Sequence, residues 1–540
     1  MTVSTLTVVP EASASGTAPC AEPPTIATPD RPDSLGSLVD PGGRVPAWWS
    51  RSPDQRLQAL ARTTRPDYHD WLTHVRPAAG CIRPIRLAGT TLTLEAGTGR
   101  VLATMDTAGM PDGVILKPCG NRRATVCPTC SKRYQRDAYQ VVRSGLIGGK
   151  GVPEHVATHP AVFPTLTAPS FGQVHTRHVK RHTCESRRRC DCRPEPCHPR
   201  RDAPICPHGT PLVCYARHEE TDRRLGTALC PDCYDYDAQV VWNVQAGELW
   251  RRTTIAVNRH LHRLTRARGI PDIPDYYLSR GKVRIRWKPP FRLSFGKAAE
   301  MQRRGVVHFH GIVRLDGNDP TDPTRIIPPP PAIDADDLKA AIDHAARTVT
   351  FTTNPHPARP EGWQIGWGDQ ILTKVITVTG RGEITDAQVA AYVAKYATKS
   401  TEATGHTSAR LTDDTVNLYA DGDGTHTERL IEACWQLGQP RDWRRLRRWA
   451  HMLGFGGHFL TKSRRYSVTF TILRQQRITY RRTQTSGPEQ TTPGEQPTTL
   501  VVNFLQFVGT GWHTTADALL ANTSAALARE HQPEQLLTPT

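Results

Sequence analysis

Two tyrosines that lie four residues apart, Tyr392 and Tyr396, are the residues of this chain best suited to covalent chemistry. Each is followed three positions later by a lysine, Lys395 and Lys399. A tyrosine oxygen that attacks a phosphodiester forms a phosphotyrosine, and a neighbouring ammonium group can lower the pKa of the phenol or hold the phosphate. The spacing therefore indicates two nucleophiles with two assisting lysines. The alternative is an amphipathic helix whose tyrosines only pack against the core.

Two histidines, His308 and His310, have the spacing of metal ligands on one strand. Residues 305–317 alternate as a β-strand does, so both imidazoles project from one face while the opposite face is apolar. Imidazoles side by side on a rigid element can hold a divalent cation. A second pair, His260 and His262, falls in a helical run, where residues two apart point to opposite sides, so it is not expected to chelate.

The tyrosines are predicted to lie on one helix. Thr385 and Gln388 have the spacing of a capping box, and alanine-rich sequence without glycine or proline follows as far as Gly405. On a helix, Val389 and Val393 belong to one apolar stripe, and the tyrosines lie one turn apart at its edge. Both phenols can therefore reach one reaction centre.

These motifs resemble the HUH endonuclease superfamily, whose members carry His-hydrophobic-His on a strand and one or two tyrosines on a later helix. A first motif rich in Phe, Thr and Leu usually precedes them, and Phe163-Pro-Thr-Leu-Thr-Ala-Pro-Ser-Phe-Gly fits that description in the expected order. More closely, residues 76 to 480 resemble actinobacterial rolling-circle initiators of the RepSA type, which plasmids and integrative conjugative elements carry. The segments that carry this likeness begin at Gly148, Phe163, Cys230 and Arg303.

The resemblance implies an α+β fold, with an HUH endonuclease domain of central antiparallel sheet and flanking helices, plus zinc-binding modules. It also implies a metal-dependent nickase and strand transferase. In such enzymes the tyrosine forms a 5′-phosphotyrosine and leaves a 3′-hydroxyl that primes a polymerase, and the second tyrosine allows termination. A third metal ligand is usual; Glu300 on the preceding hairpin strand is the candidate, with Gln302 second. Imidazole with carboxylate suits Mn²⁺ or Mg²⁺.

The cysteines indicate structural zinc. Twelve of the fourteen lie between Cys81 and Cys233, and two pairs have the Cys-Pro-x-Cys form of a zinc knuckle. The predicted ligand sets are Cys81, Cys119, Cys127 and Cys130, then Cys206, Cys214, Cys230 and Cys233, with Cys184, Cys190, Cys192 and Cys197 as a less regular third. A cysteine in any of these sets could be replaced by His198, His208 or His218. Disulfides are the alternative, but no signal peptide is visible, and a cytoplasmic chain keeps its thiols reduced.

Charge agrees with a DNA partner. The formal charge of +18 gives an electrostatic affinity for phosphate backbones, although charge alone specifies no sequence. Two basic segments, 284–292 and 441–451, place tryptophans among arginines, which suits stacking on single-stranded bases. For the second segment, an ordinary amphipathic helix with buried tryptophans is an equal alternative.

Two absences limit the function further. No nucleotide-binding P-loop is found, because the run at Lys150 lacks the spacing and the hydroxyl, so a host helicase and polymerase are the expected partners. No stretch of eighteen apolar residues exists, so no membrane-spanning segment is expected.

The chain is expected to divide at these markers. Residues 1–45 have the composition of a disordered arm, and 46–160 should hold short helices and the first zinc site. The nickase domain is predicted over 161–400, with a zinc-binding insertion at about 176–237 and with helices near 239–268 and 335–349. A basic region, 401–482, and a mostly disordered tail, 483–540, follow; within the tail lie a strand-like run that cannot be placed and a helix near 514–530.

Other functions for the same parts stay open. A two-tyrosine HUH transposase would use them on element ends, and a conjugative relaxase would use them at a transfer origin. From a different class, the chain could be a zinc-containing DNA-binding regulator with an inactive nuclease fold. Loss of nicking without loss of DNA binding would support the regulator.

Overall fold

The computed structural model describes residues 53–95, 97–179, 194–377, 384–398, 410–486 and 499–530. Its α-helices are α1 (Pro53–Thr63), α2 (Tyr68–Val75), α3 (Pro128–Ile147), α4 (Tyr236–Ala267), α5 (Ala335–Thr348), α6 (Asp386–Tyr396), α7 (His426–Leu437), α8 (Arg445–Arg448), α9 (Phe470–Ser486) and α10 (Thr515–Glu530). Its strands are β1 (Ile85–Glu95), β2 (Val101–Asp106), β3 (Ile115–Lys117), β4 (Ala161–Leu166), β5 (Ile273–Ser279), β6 (Lys282–Lys288), β7 (Phe291–Met301), β8 (Val307–Gly317), β9 (Phe351–Thr352), β10 (Gln364–Ile365), β11 (Ile371–Thr377), β12 (Ile384–Thr385), β13 (Leu460–Lys462) and β14 (Thr499–Thr510).

The chain forms two compact units. One unit contains 136–473, and the other combines the described residues of Ala27–Gln135 with those of Arg474–Thr540. The second unit therefore draws on both ends of the chain, an arrangement that the sequence did not predict.

A six-stranded sheet organises unit 136–473. Its order is β12-β11-β4-β8-β7-β13, and every neighbouring pair is antiparallel except β11 with β12, which is parallel. The expected central antiparallel sheet is thus present, with one parallel pair at its edge. β4 carries the Phe-Thr-Leu motif and lies directly beside β8, the strand of the two histidines.

Side chains of β8 divide between two cores, as the alternating pattern predicted. Phe309 and Leu315 pack in a large core with residues of α4, α5 and α7. Ile312 points to the other side and packs in a smaller core with Phe163 of β4 and Val393 of α6. The sheet is therefore covered by helices on both faces, and α6 lies on the face that carries the histidines.

The second unit is built on β1, which pairs with β14 on one edge and with β2 and β3 on the other. β14 contains the strand-like run that could not be placed from sequence. Its partner lies more than 400 positions earlier, with Ile85 opposite Thr510 and Glu95 opposite Thr499. Residues 499–530 thus form a paired strand and a helix, which are the strand-like run and the helix that the sequence places within the tail.

Three predicted helices are confirmed closely. The segments expected at 239–268, 335–349 and 514–530 correspond to α4, α5 and α10. The capping box is also present, since the Thr385 side chain accepts from the Gln388 backbone and the Gln388 side chain accepts from the Thr385 backbone. These two bonds satisfy orphan donors at the first turn of α6 and fix where the tyrosine helix begins.

Candidate active site and metal centres

The β7–β8 hairpin sets the positions of the acidic residue and the two histidines. In its register, Glu300 lies directly opposite His308, and Ala298 lies opposite His310. The turn depends on Gly305, whose φ is +78°, and a Cβ there would lie 2.7 Å from atoms of Leu430 and Leu453. Only glycine meets both demands, so the turn and the register are specified together.

A buried asparagine, Asn243 of α4, holds the start of β8. Its side chain accepts from the Val307 backbone at 3.0 Å and donates to the carbonyls of Gly305 and Leu453 at 2.8 Å each. All of its bonds go to backbone groups, so it acts as a brace for the strand. Sequence reasoning did not find this residue, because an asparagine in a helical run carries no distinctive signal.

His310 is the centre of the candidate site. On one side its Nδ1 lies 3.3 Å from the Thr165 hydroxyl of β4, and its ring stacks with Phe163 at a centroid separation of 6.0 Å. On the other side its Nε2 lies 3.1 Å from Glu300 Oε2 and 3.4 Å from the Tyr392 hydroxyl. One imidazole nitrogen thus meets both a carboxylate and a phenol, which brings the predicted ligand and the predicted nucleophile together.

His308 completes the pair of imidazoles. Its ring centroid lies 4.4 Å from that of His310. The Gln302 amide nitrogen lies 3.4 Å from its Nδ1, whereas its Nε2 is buried without a hydrogen-bond partner. Burial, with the neighbouring His310, holds the pKa of His308 well below its usual range, so the ring is neutral at pH 7.

These residues fit a divalent cation. A buried imidazole nitrogen without a partner costs free energy unless a ligand satisfies it, and neutral imidazole with carboxylate is a suitable donor set. Gln302 contacts the far nitrogen of His308, so its position is that of a residue that orients a ligand. The ligand atoms of His308, His310 and Glu300 do not all lie within 4.8 Å of one another in the described structure.

The two tyrosines lie side by side against His310. Their ring centroids are 4.4 Å apart, and those of Tyr392 and Tyr396 lie 4.7 and 5.2 Å from that of His310. Burial raises the pKa of Tyr392, and burial with the nearby Glu300 raises the pKa of Tyr396 to about 12. Both phenols are therefore protonated at pH 7.

The structure describes one of the two predicted lysines. Lys395 lies in α6 with an exposed side chain, and Lys399 lies outside the described residues. Burial raises the pKa of both phenols, and the assisting role of the two lysines stays a prediction.

The first predicted cysteine set is brought together in the unit that contains both ends of the chain. The four sulfurs of Cys81, Cys119, Cys127 and Cys130 all lie within 4.8 Å of one another, and those of Cys81 and Cys127 are 3.9 Å apart. Ligands of a tetrahedral zinc with Zn–S bonds near 2.3 Å are separated by about 3.8 Å. The ten described cysteines are all free thiols, which favours metal ligation over the disulfide alternative.

The second predicted set is wrong in one ligand. Cys206, Cys230 and Cys233 group with His208, whose Nδ1 lies 3.2 Å from Cys233 Sγ. Cys214 belongs to a different group. The knuckle pair was recognisable from its spacing, but the fourth ligand depends on how the loop between Cys206 and Cys230 folds, which spacing does not determine.

Cys214 lies in a third group with His175, Cys197 and His218. Its sulfur is 3.5 Å from His218 Nε2, and the other nitrogen of that ring contacts Asp222 at 2.7 Å. A carboxylate on the far nitrogen is the usual way to orient a ligating histidine. Of the predicted third set only Cys197 is found here; the others, Cys184, Cys190 and Cys192, lie outside the described residues. The ligand not foreseen is His175, far from the others in sequence.

The third group contacts the β7–β8 turn through neighbouring residues. Arg303, in that turn, donates to the backbone carbonyls of Glu220 and Asp222. Asp222 is the residue that contacts His218. The third group is thus connected to the hairpin that carries Glu300 and His308 by the contact of His218 with Asp222 and by the two bonds from Arg303.

The basic segment 441–451 has both of the properties expected from its sequence. Trp443 and Leu446 are buried in the large core, whereas the arginines Arg441, Arg444, Arg445 and Arg448 are exposed. The packing alternative is therefore confirmed for one face, and the opposite face is free to present positive charge. Within the described residues, no helix combines the length and the apolar character needed to cross a membrane.

Comparison with known proteins gives the family. Residues 67–526 match RepSA, described as "Replication initiator protein, pSAM2". The chain is also 38% identical over 472 residues to a replication initiator protein of Streptomyces ambofaciens, which covers 86% of this chain and 92% of that protein. No solved structure matches the chain. Together these similarities show that the chain belongs to the RepSA family of replication initiator proteins.

Proposed function

We propose that this replication initiator is an HUH nickase that cleaves one DNA strand at an origin of rolling-circle replication through a tyrosine. One observation carries the proposal: Glu300 and the Tyr392 hydroxyl both lie within 3.4 Å of the same nitrogen of His310. A nucleophile, two imidazoles and a carboxylate meet at one buried point on the sheet. Membership of a replication initiator family supplies the substrate class, DNA.

The reaction exchanges one phosphate ester for another. A tyrosine oxygen replaces the 3′ oxygen on the scissile phosphorus, so the strand ends in a 5′-phosphotyrosine on one side and a free 3′-hydroxyl on the other. The protein-bound ester retains the energy needed for later rejoining. The free hydroxyl is then a primer for a polymerase.

His308, His310 and Glu300 would hold the divalent cation, Mn²⁺ or Mg²⁺. When bound, such an ion polarises the phosphate and stabilises charge on the departing oxygen. The chain itself supplies position: Thr165 and Phe163 hold the ring of His310 in place, and Asn243 fixes the strand. Preorganised groups of this kind avoid a reorganisation cost during the reaction.

Two adjacent phenols suit a reaction with two cleavages. Tyr392 has the closer contact to His310, so we assign it the first cleavage and Tyr396 the terminating one. Lys395, which is exposed, and Lys399 are proposed to contact phosphate when DNA is bound. The all-cysteine group and the two cysteine–histidine groups are proposed to bind structural Zn²⁺.

The test is to trap the covalent product. Purified protein with Mn²⁺ is incubated with supercoiled DNA that carries its own gene neighbourhood, and the digested protein is analysed by mass spectrometry for a nucleotide adduct. We expect the adduct on Tyr392 or Tyr396. Specific binding to DNA without a nick or an adduct would refute the proposal and favour a DNA-binding regulator.

The metal assignment is tested with histidine variants. His308→Ala and His310→Ala should abolish nicking and leave duplex binding nearly unchanged, because neither ring is exposed to a DNA surface. His260→Ala is the matched control, since it removes an imidazole from the other His-x-His pair of the same unit. Normal nicking by both site variants would exclude these histidines as ligands.

A further inference from the structure

A two-stranded hairpin, residues 273–288, stands apart from the rest of its unit. β5 and β6 pair only with each other, through seven antiparallel residue pairs that begin with Ile273 opposite Lys288. The turn uses Arg280 and Gly281, both with positive φ, as a type I′ turn requires. We call this element the β5–β6 hairpin.

Both ends of the hairpin are fixed to the body. Asp272, just before β5, bonds to His262 at 2.6 Å and to Arg266 at 2.7 Å, both on α4. After β6, the Asn318 side chain donates to the carbonyls of Pro289 and Phe291. An isolated two-stranded hairpin has marginal stability in water, so these anchors matter for keeping it folded.

The two faces of the hairpin differ sharply in chemistry. Alternation along the paired strands places six apolar side chains on one face: Pro274, Tyr276, Leu278, Val283, Ile285 and Trp287. The last five of these are between 54% and 76% exposed. An exposed apolar face of this kind in a two-stranded element indicates a binding surface.

The β6 half of the opposite face is basic. It carries Lys282, Arg284, Arg286 and Lys288, which lie opposite Ser279, Tyr277, Asp275 and Ile273 of β5, and Arg280 lies at the tip. Asp275 pairs with Arg286 and Lys288, whereas Lys282 and Arg284 make no salt bridge within the described chain. Positive charge opposite an aromatic face is complementary to nucleic acid, whose phosphates and bases need these two kinds of surface.

The hairpin leads along the chain directly into β7, the strand that carries Glu300. Residue 291 begins β7 immediately after the hairpin, and Ala298, seven residues later, lies opposite His310. At about 3.3 Å per residue this separation is roughly 23 Å, which equals about seven base steps at 3.4 Å. A strand held at the hairpin can therefore continue to the tyrosines.

We propose that the β5–β6 hairpin is a wedge that holds origin DNA open for nicking. Unpaired bases stack on Tyr276 and Trp287, Leu278 and Val283 enter between bases at the tip, and the basic face holds the backbone. This inference rests on the proposed nickase function and deepens it. It names melted DNA as the substrate. The sequence shows no P-loop, so the hairpin would hold the strands apart by binding.

The first experiment separates the two faces by their salt dependence. Binding of the whole protein to fluorescein-labelled oligo(dT) is followed by anisotropy over a range of salt concentrations. Leu278→Ser with Trp287→Ala should weaken binding about tenfold with an unchanged salt slope. Lys282→Ala with Arg284→Ala should reduce the slope of log K against log salt by about 1.4.

The second experiment separates opening from cleavage. Two substrates carry the nick site mapped with the wild-type protein: a relaxed duplex and the matching single strand. The apolar double variant should lose most nicking of the duplex, and permanganate should no longer modify thymines beside the site. At saturating concentrations of the single strand its maximal cleavage rate should equal that of the wild type, because the residues around His310 are unchanged, whereas the strand concentration needed for half-maximal cleavage should rise about tenfold.

A matched control and the opposing results make the test decisive. Leu418→Ser removes a leucine that is 72% exposed, against 76% for Leu278, so it reports any general effect of such a change. Unchanged oligo(dT) binding and duplex nicking in both hairpin variants would overturn the wedge and leave a protein partner for this face. Loss of single-strand cleavage by the folded apolar variant would also overturn it. Failure of the wild type to cleave a single strand would refute the nickase proposal, whereas the salt-slope result would still test the hairpin.

Discussion

Replacing Tyr392 by phenylalanine is expected to stop the first cleavage without disturbing the fold. Phenylalanine keeps the ring contacts, including the edge-on contact with Phe163 at 5.8 Å, and loses one hydroxyl. That hydroxyl makes a long contact of 3.4 Å to His310. An ordinary hydrogen bond contributes about 0.5–1.5 kcal/mol, so the free energy of unfolding should fall by no more than about 1 kcal/mol.

The effect on rate should be of a different order. Removing the nucleophile of a covalent mechanism has cost on the order of 10⁶ in rate in a well-studied protease, whereas 1 kcal/mol is less than tenfold. Single-turnover cleavage of a labelled strand that spans the nick site measures the rate, and urea unfolding measures stability. Tyr396→Phe is the matched control, because it removes the same atom one helical turn away and should cleave almost normally but fail in termination.

Three outcomes would contradict parts of this reasoning. Normal cleavage by Tyr392→Phe together with none by Tyr396→Phe would reverse the order of the two nucleophiles. Normal cleavage by each single variant, with loss only in the double variant, would make the tyrosines interchangeable. Cleavage by the double variant would refute tyrosine chemistry altogether.

Three further predictions concern the metals and the fold. Glu300→Gln should raise the Mn²⁺ concentration needed for half-maximal nicking, because a neutral amide is a weaker ligand; an unchanged metal titration would exclude Glu300 as a ligand. The described groups predict three zinc ions per chain by elemental mass spectrometry, and His218→Ala should remove one and slow nicking through the Arg303 contacts; retention of all three would exclude that site. Asp517→Ala should lower the free energy of unfolding by about 3 kcal/mol, because it breaks the buried ion pair with Arg62 and leaves Asp112 as the carboxylate that pairs with this guanidinium. A change below about 1 kcal/mol in urea unfolding would contradict this.

Local patterns in the sequence predicted much of the candidate site. The strand of His308 and His310, its two-sided packing and the capped tyrosine helix were available from periodicity and caps, whereas Glu300 was a candidate only through the family resemblance. Each of these depends on neighbours within a few residues or across one hairpin. The sequence could not give Asn243, because its side chain bonds only to backbone groups that lie 62, 64 and 210 residues later.

The remaining differences come from contacts that are distant in sequence. The second cysteine group contains His208 where the sequence predicted Cys214. Both residues are chemically able to bind zinc, so the path of the loop decides between them. The tail strand was visible as an apolar run, but its partner β1 lies at the other end of the chain. No short-range pattern connects β14 with β1, because each of the two strands could have paired with many others.

The pairing of β14 with β1 makes the order of protein synthesis relevant to folding. Thr510 follows its partner Ile85 by 425 positions, and at about 5–20 residues per second a ribosome needs roughly 20–85 s to make that stretch. During this time one edge of β1 stays open, and all the residues around His310 are completed before Thr499. A polypeptide interrupted between Leu473 and Thr499 would thus retain the candidate active site and expose a strand edge able to pair with another copy.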